Sequence, residues 1–336
     1  MRGKGITYDT GFLNGGTSTR EPFDPAVVER ELRVIRHQLH CNAVRITGGD
    51  PDRLELAAGH AAGVGLEVWF SPFTCDLTTD ELLDLLADCA DRAERLRRSG
   101  AEVVFVTGAE LSLVTVGFLP GETIADRLGL LDDPPRLREA MAEVPARLNA
   151  FLARAAAAVR ERFGGRISYA AIPSEGVDWT PFDIVSLDAY RPAEVAGHYR
   201  DAIRALVAGG KPVAVTEFGS ATYRGAAGRG ARGGLIVEWD GARAVRLDGD
   251  YIRDEHEQAA HLLELLDIFD DEGVDSAFVN TFASYHLPHR DAPRDDLDMA
   301  GYGVVKVLED RPGRPGPDLP WEPKAAFGAL AGRYRD

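Results

Sequence analysis

The sequence predicts a single (β/α)8 barrel, and three observations carry that prediction. Eight short runs rich in Val, Ile and aromatic residues alternate with amphipathic stretches along the whole chain. Each run is bounded by Gly or Pro, as strands buried on both faces of a parallel sheet should be. An open doubly wound sheet would share the alternation, but it normally carries a GxGxxG phosphate-binding turn after its first strand, and that turn is absent here.

The elements follow in order. The first strand is GITYDT at 5–10, and DPAVVERELRVIRHQL at 24–39 supplies a helix with Asp24 as cap and Pro25 at its first position. NAVRITG (42–48) is the second strand, followed by a short helix from Asp52 to Ala62. LEVWFSP (66–72) is the third. The helix after it, 78–100, begins acidic, ends basic and stops at Gly100, in keeping with the helix dipole. EVVFVTGAE (102–110) precedes a helix over 134–163. RISYAAI (166–172) precedes PSEGVDWTPF (173–182), which leaves little room for a helix. DIVSLDAY (183–190), PVAVTEFG (212–219) and DSAFVNTF (275–282) complete the strands, with helices over 194–208, 254–271 and 322–334. The whole chain, 1–336, reads as one domain, since α/β barrels commonly reach this length undivided. Two long irregular segments, 224–255 and 286–303, follow strands seven and eight. Both leave the C-terminal ends of strands, where barrels place their active sites, and Trp239 and Tyr251 give the first of them something to bury.

Composition bounds the function. Apolar residues make up 45% of the 336, and the net charge is −16, which argues against nucleic acid or an anionic membrane surface as partner. No apolar run reaches membrane-spanning length, and MRGKGITYDTGF lacks the apolar core of a signal peptide. The three cysteines, Cys41, Cys75 and Cys89, have no CxxC spacing, so reduced thiols and a cytoplasmic location are expected. The partner expected is a small-molecule substrate, and the oligomeric state is left open.

Polar residues stand at the C-terminal ends of the strands: Tyr8 and Asp9 on the first, Arg45 on the second, Glu110 on the fourth and Glu175 on the fifth. Asp188 and Tyr190 follow on the sixth, Glu217 on the seventh, Asn280 and Tyr285 on or after the eighth. Carboxylates on strands four and seven face each other across a barrel, which suits glycoside hydrolysis: one protonates the leaving oxygen while the other attacks the anomeric carbon. A single such Glu more often caps a helix or pairs with an Arg; two on these strands favour a catalytic pair. Asp9, Asp188 and Glu175 are oxygen ligands that a hard metal would accept, but no HxH, HExxH or clustered His set is present, and neither metal nor cofactor is expected. Cys75 has no evident His partner and reads as a buried thiol.

These residues resemble the clan A glycoside hydrolases. VTEFG (215–219) is similar to the clan's strand-seven signature, implying Glu217 as nucleophile. VVFVTGAELSL (103–113) stands where the strand-four motif belongs, implying Glu110 as acid/base. Arg45 in AVRITG resembles the arginine that contacts the nucleophile, and Tyr190 in FDIVSLDAY the tyrosine that hydrogen-bonds it. GLEVWFSP (65–72) is similar to the clan's third strand, and 301–330 to its closing segment. The opening MRGKGITYDTGF is also similar to actinobacterial proteins labelled abortive-infection proteins, a label that implies no particular chemistry.

Two departures stand out. Ala109 occupies the position where the clan usually has an Asn that binds the sugar 2-hydroxyl. VNTFASY replaces the usual Trp-bearing end of strand eight, leaving Phe282 or Tyr285 as sugar-stacking candidates; Trp239 of the long loop is a supporting or substrate-binding candidate. The resemblance implies a retaining hydrolase acting on an O-glycoside. The same Glu pair would serve a non-hydrolytic acid/base enzyme acting on a non-sugar metabolite, and a catalytically silent barrel would serve as a binding module in phage defence.

Overall fold

The computed structural model describes residues 1–14, 17–241, 243–309 and 319–335. Eight strands close into a barrel in which every neighbouring pair is parallel. They are β1 (Gly3–Asp9), β2 (Ala43–Gly48), β3 (Glu67–Pro72), β4 (Val103–Ala109), β5 (Arg166–Ala171), β6 (Val185–Asp188), β7 (Val213–Phe218) and β8 (Ser276–Val279). The first seven lie within two residues of the runs expected from the sequence, the sixth being shorter at both ends; the eighth stops three residues short of its expected run.

Every residue of β2, β3 and β4 is buried, because one face fills the barrel and the other meets the helices. Trp69, Val104, Val106, Ala170, Ile184, Ala214 and Phe278 fill the interior, with the rings of Trp69 and Phe278 4.8 Å apart. Gly5 is required beside them: a Cβ there would stand 2.4 Å from the Phe278 ring.

The outer layer is α1 (Pro25–His37), α2 (Pro51–Gly63), α3 (Thr79–Arg98), α4 (Val144–Arg160), α5 (Tyr199–Val207), α6 (Glu255–Glu272) and α7 (Ala325–Arg335). Side-chain caps start the first three. Asp24 accepts from the Ala26 amide, Asp50 from those of Asp52 and Arg53, and Thr78 forms a reciprocal box with Glu81. The single helix expected over 134–163 is two, Pro134–Met141 and α4, because Pro145 fits only a helix's first turn. Between β5 and β6 there is only a short turn, Pro173–Glu175, as the sequence spacing suggests. Among the described residues no helix is long and apolar enough to cross a membrane.

The segment 224–255, read from sequence as irregular, is ordered. It forms a 3-10 stretch (Ala227–Gly234) and a hairpin (Val237–Asp240 with Arg243–Leu247). Its Ile236 and Leu247, together with Tyr223 just before it, pack with Leu287, Leu297 and Met299 from the segment after β8. Arg253 ties the two together by ion pairs to Asp296 and Asp298, and buried Lys324 adds a 2.8 Å pair to Asp298. The two loops therefore make one plate over the barrel mouth. In the closing segment, Val305–Val307 pairs with Trp321–Pro323 before α7; residues 310–318 lie outside the described residues.

Candidate active site

Strand alternation places Thr7, Arg45 and Asp188 toward the barrel axis, and a register irregularity on β7 between Val215 and Glu217 brings Glu217 to the same side, directly beside Asp188. Arg45 is fully buried. Its Nε donates to Ser71 Oγ at 3.1 Å, and its Nη1 donates to Glu217 Oε1 at 2.7 Å and to the Thr216 carbonyl at 3.3 Å. Tyr190 Oη donates to Glu217 Oε2 at 2.9 Å, and Asn280 Nδ2 donates to the same oxygen at 3.2 Å. Three donors from β2 and from just beyond the ends of β6 and β8 thus converge on one carboxyl group, the hydrogen-bonding complement of a carboxylate. Burial alone would lower the Arg45 pKa, but the charges of Glu217 and Asp188 outweigh it and raise it, so the guanidinium stays cationic. Burial, then the Glu217 charge, pushes the Tyr190 phenol well above its ordinary value, so it remains a donor. Tyr302 braces Tyr190 edge-on, with ring centroids 5.7 Å apart.

Glu110 sits in different company. It follows β4 in a left-handed conformation, φ 47° and ψ 38°, with its amide donating to the Ala170 carbonyl at 2.9 Å. Such a conformation in a non-glycine residue costs on the order of 1–3 kcal/mol and persists only where surroundings enforce it. Here they do. The next two amides are taken: Leu111 N donates to Tyr169 Oη at 2.8 Å, and Ser112 N to Glu175 Oε1 at 2.9 Å. Among the described residues no donor bonds the Glu110 carboxyl. Burial, then the charges of Asp188, Glu217 and Glu175, lifts its pKa well above the ordinary carboxylate range, with Arg45 opposing.

Asp188 is fully buried, and neither of its carboxyl oxygens has a hydrogen-bond partner. Its Oδ1 lies 3.9 Å from Arg45 Nη1. Burial, then the Glu217 charge, raises its pKa well above the ordinary value, against the pull of Arg45. Asp188 is therefore biased toward its protonated form beside the carboxylate that takes the guanidinium.

Several mouth residues read from the sequence fall elsewhere. Glu175 does not open onto the mouth; it is buried and accepts from Ser112 N, Tyr169 Oη and Ile172 N, so it braces the turn that begins at Glu110. Tyr8 points to the helix layer, because odd and even positions of β1 face opposite sides, and donates to Glu31 Oε2 at 2.5 Å. Tyr285 also donates to Glu31 and lies over Arg20, with 4.3 Å from guanidinium to ring centroid. Phe282 packs on Trp321, ring centroids 5.3 Å apart. Neither of the two is a sugar-stacking floor: the chain after β8 turns them outward toward α1 and the closing hairpin. Tyr169, which the sequence reading passed over, was marked only by its place on an inward-and-outward alternating strand.

A cavity of about 320 Å³ opens over Glu217 and Asn280. Asp9 and Trp239 line it as well, with Thr7, Phe73 and His286. Asp9 accepts from Thr19 Oγ1 at 2.7 Å and from the Gly11 amide at 2.8 Å. Trp239 is half exposed and stacks on His286 across 6.4 Å. Gly233 lets this loop close against Tyr302, since a Cβ there would stand 2.8 Å from the Tyr302 hydroxyl. Cys75 is buried and its pKa is pushed up to about 12 by burial and by Asp76, which leaves no thiolate for nucleophilic work. Among the described residues no group of three or more His, Cys, Asp or Glu is arranged to hold a metal ion.

The fold has counterparts among solved structures. A GH113 β-1,4-mannanase superposes with a TM-score of 0.64 at 16% identity, over 100% of both chains. The GH113 β-mannanase of Alicyclobacillus acidocaldarius gives 0.60 at 16%, over 99% of this chain and 97% of that one. A β-glucuronidase from Ruminococcus gnavus gives 0.56 at 14%, and this chain spans 49% of its length. The fold is the one these glycosidases use. No protein-family model matches the chain, and no curated protein matches it by sequence.

Proposed function

We propose that this protein is a retaining glycoside hydrolase, with Glu217 as nucleophile and Glu110 as acid/base. The observation that carries the reading is the opposite provision for the two carboxyl groups: three donors on Glu217, none among the described residues on Glu110. A nucleophile must be anionic when substrate arrives, and an acid must still hold its proton.

The reaction then runs in two steps. Glu110 gives its proton to the glycosidic oxygen as Glu217 attacks the anomeric carbon, so the C–O bond to the leaving group breaks and a glycosyl ester forms. Once Glu217 is esterified its charge is gone, which removes one of the causes that raise the Glu110 pKa. Glu110, now the conjugate base, takes a proton from water, whose oxygen attacks the same carbon and releases Glu217. Arg45, Tyr190 and Asn280 hold Glu217 for the first attack and receive its charge on release. Asp9 and Trp239 line the cavity where a sugar would lie.

Ala109, fully buried just before Glu110, supports a second reading. It provides no side-chain donor for a 2-hydroxyl, a contact that strengthens in glycoside transition states, so the same pair would suit acid/base chemistry on a non-sugar metabolite. Exposure to a panel of fluorinated, activated glycosides, followed by intact-mass measurement, separates the two. A stable adduct mapped to Glu217 and absent from Glu217→Gln is expected. A folded protein that forms no adduct across the panel would favour the second reading.

A further inference from the structure

The cavity over Glu217 continues outward into a second chamber of about 440 Å³. Phe12, Thr19, Gly234, Trp239 and His286 line both, so the two chambers adjoin, with the Trp239–His286 stack at their border. The far wall comes from the short helix Ile124–Leu128, through Ile124, Ala125 and Leu128, and from Leu235.

The chemistry of the two chambers differs. Among the described residues the second has no Asp, Glu, Lys or Arg in its lining. Leu235 and Trp239 stand 53% and 51% exposed in it, and apolar side chains of that size left adjacent in a concave wall favour an apolar occupant. The inner chamber is lined by two carboxylates, Asp9 and Glu217, and by no Lys or Arg. A sugar bearing its own carboxylate would meet like charge there without a partner, at a cost of several kcal/mol. Burial lowers the His286 pKa, against the charge of Asp9, so this ring adds no compensating cation. Arg127 of the Ile124–Leu128 helix donates to the Val114 carbonyl at 3.1 Å, which ties this wall to the turn that follows Glu110, although Glu110 itself lines neither chamber; the aglycone is assigned to this side on that link.

We infer that the substrate is a glycoside of a neutral sugar carrying an apolar, uncharged aglycone, with the sugar over Glu217 and the aglycone against Leu235, Trp239 and the Ile124–Leu128 helix. The inference rests on the glycosidase reading and narrows it, setting this site apart from one built for uronic acids or for long polar chains.

Binding tests it without turnover. Full-length Glu110→Gln protein is titrated by calorimetry with methyl and octyl β-glucosides, methyl and octyl β-mannosides, octyl β-glucuronide and 1-octanol, all below micellar concentration. The octyl form of at least one neutral sugar should bind at least tenfold tighter than its methyl form. Leu235→Asp should remove that advantage, and Trp239→Ala, at a second half-exposed position, serves should the first variant not fold. Octyl glucuronide should bind at least tenfold more weakly than the better neutral octyl glycoside. Equal methyl and octyl affinities, or a glucuronide bound as well as the neutral sugars, would overturn the inference and leave the glycosidase reading to the trapping experiment. Octanol bound as tightly as the octyl glycosides would overturn both, since the sugar would then contribute nothing.

Discussion

Two carboxyl groups at one barrel mouth receive opposite treatment. Glu217 meets a buried guanidinium, a phenol and an amide, and each of its oxygens is bonded. Glu110 is buried near three other acids, with only the more distant Arg45 opposing them and no hydrogen-bond donor among the described residues, and its backbone is held left-handed by bonds that Tyr169 and Glu175 accept from the following amides. The difference does not lie in the two residues, which are chemically identical. It lies in which strand ends deliver cations and donors: β6 and β8 flank β7 and bring Tyr190 and Asn280, and Arg45 reaches Glu217 from β2 across the barrel, while β4 lies between β3 and β5.

The comparison breaks most severely at Glu217. Glu217→Gln should reduce turnover of any glycoside by at least about 10⁴-fold, measured as kcat/KM. An equal loss in Glu110→Gln on every substrate would erase the contrast. Instead Glu110→Gln should lose roughly 10²–10⁴-fold on substrates with poor leaving groups and far less on a dinitrophenyl glycoside, which departs without a proton. Added azide should then restore turnover of the activated substrate, giving a glycosyl azide of retained configuration.

Arg45 is where stability and function meet. Arg45→Met leaves Glu217 and Asp188 without their cation and should destabilise the fold by about 3–5 kcal/mol, read from denaturant titration. Tyr190→Phe removes one donor to a charged group and should weaken transition-state stabilisation by about 1.5–3 kcal/mol, appearing in kcat with KM little changed.

The smallest effect concerns pH. Asp188 has a folded pKa above its ordinary value of 3.8 because burial and the Glu217 charge oppose its ionisation. The folded state therefore binds more protons than the unfolded one between 3.8 and that raised value. Its contribution is fully present below the ordinary value and is lost as pH rises toward the folded one. Asp188→Asn keeps the neutral form at all pH values, so its Tm should fall less steeply across that window than the parent's. A slope identical in the two proteins would show that Asp188 is already ionised beside Arg45.

The barrel was legible because each strand is a short apolar run whose burial on two faces forces a recognisable composition. Arg45 and Tyr190 were legible because they stand on or just past strand ends, where the period of two and the common direction of parallel strands fix the side on which they emerge; Glu217, legible by its place at a strand end, joins them through the register shift on β7. That logic stops where the strand stops. Tyr285 and Phe282 lie beyond β8, and the turn there sends them to Glu31 and Trp321; Tyr8 lies one position out of phase with Asp9. Glu175 has the same residue type as Glu110, and only the amides presented to it make it a brace.

By itself, then, the sequence determined the eightfold alternation, the single barrel and the strand-end carboxylates, since these depend on local periodicity and on burial that composition records. Only the tertiary structure decided which carboxyl group is paired and which stands alone. It also decided that Asp188 is buried without a hydrogen bond and that the segments 224–255 and 286–303 form one plate. The physical reason is that charge, donors and apolar walls act through space, and the donors on Glu217 come from residues 27, 63 and 172 positions away.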